Sequence, residues 1–149
     1  MKKFQFKFET VLKVKEKKEE KLKRELFKLH ALQVEQHQIL EKIKEEKNKA
    51  TKDKSNEFVT DIQSLIYLED YLNFLRKQID DVNLKISELQ IQINDKRDEV
   101  IQASKEKKIF ERLKTHHLND YNKIIISNEQ KVLDDIAVNK FNRKEQHNY

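Results

Sequence analysis

Across 149 residues this chain contains no glycine and no proline. Those two residues supply most of the backbone angles that tight turns need, so a fold of many short strands has little to turn on. The same gap leaves nothing to break a helix once it has begun. With 40% of the chain Asp, Glu, Lys or Arg, the composition is that of long helices and coiled coils. Only 36% is hydrophobic, too little for a globular core of this length but enough to line one or two helix seams. The expectation is a single elongated all-α domain over residues 1–149.

One stretch pulls the other way. "FQFKFETVLKVKE" (4–16) sets Phe4, Phe6 and Phe8 on alternate positions, which is the period of a strand. No second alternating segment exists to pair with it, so the rings are expected to form an N-terminal cluster. Phe8 then shares a helical face with Val11 and Leu12, and Phe4 and Phe6 precede the helix.

Steps of four and three define a first seam through Phe8, Leu12, Lys15, Glu19, Leu22, Leu26, Leu29, Gln33, Gln36, Leu40, Ile43, Lys47 and Ala50. It is leaky: five of its positions are polar or charged, so this helix has to borrow stability from a partner. The second seam is cleaner, with Leu65, Leu68, Leu72, Leu75, Ile79, Val82, Ile86, Leu89 and Ile93 in unbroken sequence. Beyond Lys96 it runs through Val100, Ala103, Lys107 and Phe110. It is then expected to slip by about one residue to Leu118, Tyr121, Ile125, Asn128, Val132 and Ile136.

Between the seams, "TKDKSNEF" (51–58) has no apolar residue before Phe58 and offers Asp53, Ser55 and Asn56 as capping groups. This places helix one at about 8–51, a bend at about 52–57 and helix two at about 58–142, with Ser55 or Asn56 as the N-cap of helix two. A bend near residue 56 sets residue i opposite roughly residue 112 minus i. Helix two would then overhang by roughly 35 residues, about 50 Å. Ile109, Phe110, Leu113, Tyr121, Ile124, Ile125, Ile126, Val132 and Leu133 would lie on that overhang and call for a partner.

The inventory excludes much chemistry. Without glycine there is no phosphate-cradling loop, and without cysteine there is no disulfide, thiolate metal site or thiol nucleophile. That is consistent with a reduced cytoplasmic setting, and no apolar run suggests a signal peptide or a membrane span, so a soluble, unprocessed chain is expected. His30 and His37 are seven apart and His116 and His117 adjacent, neither an HExxH arrangement, so no metal site is expected. Asp80/Asp81 and Asp134/Asp135 lie in a chain with no expected pocket and are taken as solvated faces, so no enzyme activity and no cofactor are expected.

Net charge is +5, from 32 basic and 27 acidic residues, and the excess sits in residues 1–60 with 17 basic against 11 acidic. The run "KVKEKKEEKLKR" (13–24) has seven basic and three acidic residues, but it lacks base-reading residues and its glutamates dilute it. Nucleic-acid binding is therefore not expected, and attraction to anionic lipid is permitted but unspecific.

Three ordered landmarks carry a resemblance: the start "FQFKFETVLKVKEKKEE", the middle "LEDYLNFLRKQID", and the tail "KKIFERLKTHHLNDYNKIIISNEQKVLDDIAVNKF". Together they resemble the FliJ family, small coiled-coil components of the bacterial flagellar type III export apparatus. The resemblance implies an antiparallel two-helix coiled-coil hairpin with a longer second helix, similar to the central stalk of rotary ATPases. It also implies a non-enzymatic role in flagellum biogenesis: a stalk that inserts into and promotes the export ATPase hexamer and links it to the export gate membrane protein and export chaperones. Such a protein would be cytoplasmic and peripherally associated with the inner membrane at the flagellar base, without direct membrane insertion, and monomeric when alone. Carried over by position, the gate-contacting stripe falls on Tyr71, Leu75, Gln78 and Val82, and the ring-contacting landmarks on Phe110, Leu113, Glu129, Gln130, Asp134 and Asp135. The alternative is a homotypic coiled-coil scaffold or adaptor, in which the seam from Leu65 to Ile93 pairs between chains.

Overall fold

A computed structural model of the chain describes residues 3–55 and 61–145. Two helices account for nearly all of it, α1 over Glu9–Ser55 and α2 over Ile62–Glu145. They pack against each other as an all-α hairpin whose second helix is the longer. Among the described residues there is no strand and no positive φ, so nothing described demands the glycine the sequence lacks.

The helix ends have local causes. The Glu9 amide donates to the Phe6 carbonyl at 3.2 Å and the Leu12 amide to the Phe8 carbonyl at 2.9 Å, which closes the first turn of α1 with an acidic residue at its positive end. At the start of α2 the Gln63 amide donates to Asp61 Oδ1 at 3.4 Å, so Asp61 stands in the N-cap position. This corrects the expected cap: Ser55 is the last residue of α1 and cannot cap α2. Asn56 and Phe58 lie outside the described residues. Arg143 and Lys144 close α2, where cations favour the negative helix end.

The chain divides into two compact units, one pairing the start of the chain through Lys18 with Ala103 onward, the other spanning Glu19–Gln102. In the second unit Gln33 Nε2 donates to Gln90 Oε1 at 2.7 Å and Lys96 Nζ to Glu25 Oε2 at 3.0 Å. Its interior holds Leu40, Ala50, Leu72, Leu75, Val82 and Ile93, of which Ile93 is fully enclosed. In the first unit Lys15 Nζ meets Glu106 Oε2 at 2.9 Å and Lys114 Nζ meets Glu9 Oε2 at 2.9 Å.

Every one of the thirteen seam positions expected in α1 is buried or half-buried, Lys15, Gln33, Gln36 and Lys47 included. In α2 the seam is likewise covered from Leu68 through Phe110, whereas Leu65 is exposed. Two expectations about register are corrected. Partner numbers sum to 121 for Lys15/Glu106 and Glu25/Lys96 and to 123 for Glu9/Lys114 and Gln33/Gln90, not to 112. The fold-back point lies near residue 61 because α1 continues through Ser55. The slip after Phe110 does not occur where expected, since the covered stripe keeps step through Lys114, His117 and Tyr121 with Leu118 exposed; it then passes to Ile125, as the slipped register has it, beyond which residues 126–144 are all exposed.

Candidate functional site

At the N-terminal end the three phenylalanines form a strap on α2. Phe4 lies 5.5 Å from the Tyr121 ring, Phe6 5.8 Å from His117, and Phe8 6.2 Å from Phe110, the last two edge-on. Phe6 is buried and also meets Phe8 edge-on at 5.9 Å. Val11, expected to share the Phe8 face, is exposed.

The strap changes what overhangs. Phe110, Leu113 and Tyr121, expected bare, are half-buried, Phe110 and Tyr121 beneath the strap's own rings. The bare part of α2 begins after Tyr121 and runs over residues 122–145, 24 positions or about 36 Å, which is shorter than expected. Along it Ile124, Ile126, Val132, Leu133, Ile136, Val138 and Phe141 are exposed, while Ile125 is half-buried. Val138 and Phe141 extend the exposed apolar set beyond the residues named from the sequence. Interleaved with the apolar groups are Glu129, Gln130, Asp134 and Asp135, all exposed, with Gln130 Nε2 donating to Asp134 Oδ1 at 3.4 Å. Seven large apolar side chains held out in water are a surface suited to a partner rather than to solvent.

The four residues of the expected gate stripe part company. Leu75 and Val82 are 1% and 7% exposed and belong to the interior of the second unit, Gln78 is half-buried, and only Tyr71 stands clear. Beside Tyr71, Tyr67 and Phe74 are exposed, and the spacing 67, 71, 74, 78 follows one face of a helix. That spacing is legible in the sequence, where it runs beside the apolar seam of Leu68, Leu72, Leu75 and Ile79.

A polar cluster crosses the same unit. Lys96 Nζ donates to Glu25 Oε2 at 3.0 Å and to Glu99 Oε2 at 3.1 Å. The Lys96 hydrogen bond holds the Glu25 carboxyl below the usual carboxylate range, and bonds to Glu25 and then Glu99 hold the Lys96 ammonium above the usual lysine range. His116 Nε2 lies 3.3 Å from Asp120 Oδ2 at the surface, and His117 serves as a ring in the strap contact. Among the described residues no group of three His, Cys, Asp or Glu is placed to hold a metal, and no helix is long and apolar enough to cross a membrane.

Residues 4–146 match the family model described as flagellar FliJ protein. No curated protein and no solved structure gives a significant match.

Proposed function

We propose, for a chain that belongs to the flagellar FliJ family and so to the flagellar protein-export apparatus, that it acts as a stalk without chemistry of its own, seated in the export ATPase ring by its bare C-terminal tail. The observation that carries this reading is the run 122–145 of α2, which has left its partner helix and still exposes seven large apolar side chains. A ring lumen is a hollow that such a rod end fits. Val132, Leu133 and Ile136 supply the anchors, and Glu129, Gln130, Asp134 and Asp135 supply the polar contacts around them. Phe110 contributes by holding the N-terminal strap, and Leu113 is half-buried beside it on the same helix.

Promotion of the ATPase requires the tail to bind one arrangement of the ring subunits better than the others, since equal affinity for all states shifts none of them. The gate contact falls on Tyr71 and Gln78 with Tyr67 and Phe74 alongside, while Leu75 and Val82 hold the seam beneath. Contact with the gate keeps the chain at the cytoplasmic face of the inner membrane, and the same exposed faces serve export chaperones. The homotypic scaffold has less to work with, because Leu72, Leu75, Val82 and Ile93 are already enclosed within one chain.

Turnover of the purified export ATPase, measured with the full chain and with a chain ending after Tyr121, tests the reading. The shortened chain keeps the strap and its aromatic contacts. The full chain should raise turnover and the shortened one should not; equal stimulation by both would remove the tail from the mechanism.

A further inference from the structure

The basic run of α1 looks diluted by glutamate in the sequence, and folding undoes that dilution. Between residues 19 and 28 the helix carries Lys21, Lys23, Arg24 and Lys28 against Glu19, Glu20 and Glu25. Glu19 is buried and accepts from Lys23, and Glu25 is bonded to Lys96. Two of the three carboxylates are thereby turned inward or neutralised. Outside remain Lys21, Arg24 and Lys28, all exposed and none in a direct ion pair with a described residue; Lys21 and Lys28 add to the field that lowers the Glu25 pKa, and Glu20 stands one turn from Arg24, so the face keeps a net positive charge. In the other unit Glu9 pairs with Lys114 and Lys15 with Glu106, one acid and one base of α1, so no comparable excess is created there.

Lys21, Arg24 and Lys28 are three and four residues apart, so they fall within about 60° of one another around the helix and span about 10 Å along it. The seam residues Leu22, Leu26 and Leu29 lie on the other side. Phe27, one turn from Arg24, is 74% exposed at the flank of this row. A large ring left in water beside three exposed cations, with Glu20 as the exposed carboxylate on the same face, is the side-chain set of a helix that lies on a charged interface.

The surroundings select a flat polyanion over a wrapping one. The row is a convex ridge, and the groove next to it, about 470 Å³, is lined by Glu25, Asp95 and Glu99 as well as Lys28 and Lys96. A flexible polyanion that followed the surface down from the ridge would meet those carboxylates. A duplex is itself convex and crosses a ridge at one point, engaging one or two phosphates. A bilayer surface touches all three cations at once, leaves the acidic groove uncontacted, and receives the Phe27 ring at headgroup depth.

We propose that the outer face of α1 at Lys21, Arg24 and Lys28, with Phe27 beside it, adsorbs to anionic phospholipid. The chain then lies on the headgroup layer without spanning it. This surface is separate from the bare tail and from the Tyr71 face, and its test uses the chain alone, so its failure would leave the export reading where it stands.

Co-sedimentation of the purified full chain with phosphatidylcholine vesicles, with and without phosphatidylglycerol, reads the effect. Binding should require the anionic lipid and fall with added salt. Combined Lys21→Glu, Arg24→Glu and Lys28→Glu should weaken partition on the order of 100-fold, at about tenfold per 1.4 kcal/mol and about 1 kcal/mol for each cation. Phe27→Ser should weaken it by about tenfold, and Lys85→Glu on α2 should leave it unchanged. Helical content by circular dichroism checks that each variant is folded. Equal binding to neutral vesicles, or full binding by the folded triple variant, overturns the proposal. So does the absence of vesicle binding alongside capture of a labelled DNA duplex or polyglutamate that the same reversal abolishes.

Discussion

Replacement of Phe6 by alanine should unlatch the N-terminal end of α1 and leave the rest of the molecule folded. The ring is 8% exposed and meets two others, Phe8 at 5.9 Å and His117 at 5.8 Å. Burying a phenylalanine side chain is worth about 1.5–3 kcal/mol, and each edge-on ring contact adds about 0.5–1.5 kcal/mol. The strap lies at a chain end and relaxes on truncation, so a net loss of about 3 kcal/mol is expected, which is roughly 100-fold in the local opening equilibrium. The Phe6 carbonyl accepts from Glu9 and the Phe8 carbonyl from Leu12, so the amides of Glu9 and Leu12 report that opening directly. Native-state hydrogen exchange should show both exchanging about 100-fold faster, with amides near Ile93 unaffected. Phe27→Ala removes the same atoms from a ring that is 74% exposed and should leave both amides as they were. Unchanged exchange at Glu9 and Leu12 in Phe6→Ala, or an equal change in Phe27→Ala, would refute the reasoning.

Ile93→Ala, at a side chain with 0% exposure, should cost about 2–5 kcal/mol and lower the melting temperature seen by circular dichroism, while Ile91→Ala, at 62% exposure, should cost little. The Glu25–Lys96 pair should make stability fall at both ends of the pH scale. Glu25 has its pKa lowered in the fold, so its contribution is present above the ordinary carboxylate value of 4.5 and lost as pH falls through the lower folded value. Lys96 has its pKa raised, so its contribution is present below 10.5 and lost as pH rises through the higher folded value. Lys96→Met should flatten both limbs in urea titrations run across pH, and an unchanged profile would show that the pair contributes nothing measurable.

The helical class was legible because a chain without glycine or proline has few alternatives, and the α1 seam was legible to the residue. Where the sequence misled, the cause was geometric. Polar residues at 51–56 marked the region of the bend, but capping side chains stop a helix only where packing has already stopped favouring it, and α1 carries on five residues past Ala50, itself buried. In a hairpin a five-residue error in the fold-back point moves every partner by ten, and the strap ahead of α1, with Phe6 on His117 and Phe4 on Tyr121, covers α2 further still, so the bare tail begins at 122 instead of about 106. The false slip after Phe110 has a different origin. Lys114 and His117 are polar by type, yet one pairs with Glu9 and the other offers a ring face to Phe6, contacts that a division into apolar and polar residues does not register. Charge sorting along α1 was out of reach for the same reason, since which glutamates find a cation depends on the register.

The pairing of Glu25 with Lys96 bears on which alignments of the two helices this unit accepts. A coiled coil lined only with aliphatic side chains can slide by a heptad and find equivalent company. Here such a shift would bring Glu25 level with Leu89 or Ala103 and leave its carboxylate without the ammonium it now holds. Within this unit the two helices are indexed to each other like the teeth of a key, so that only one of the registers an aliphatic seam would accept keeps both charges satisfied.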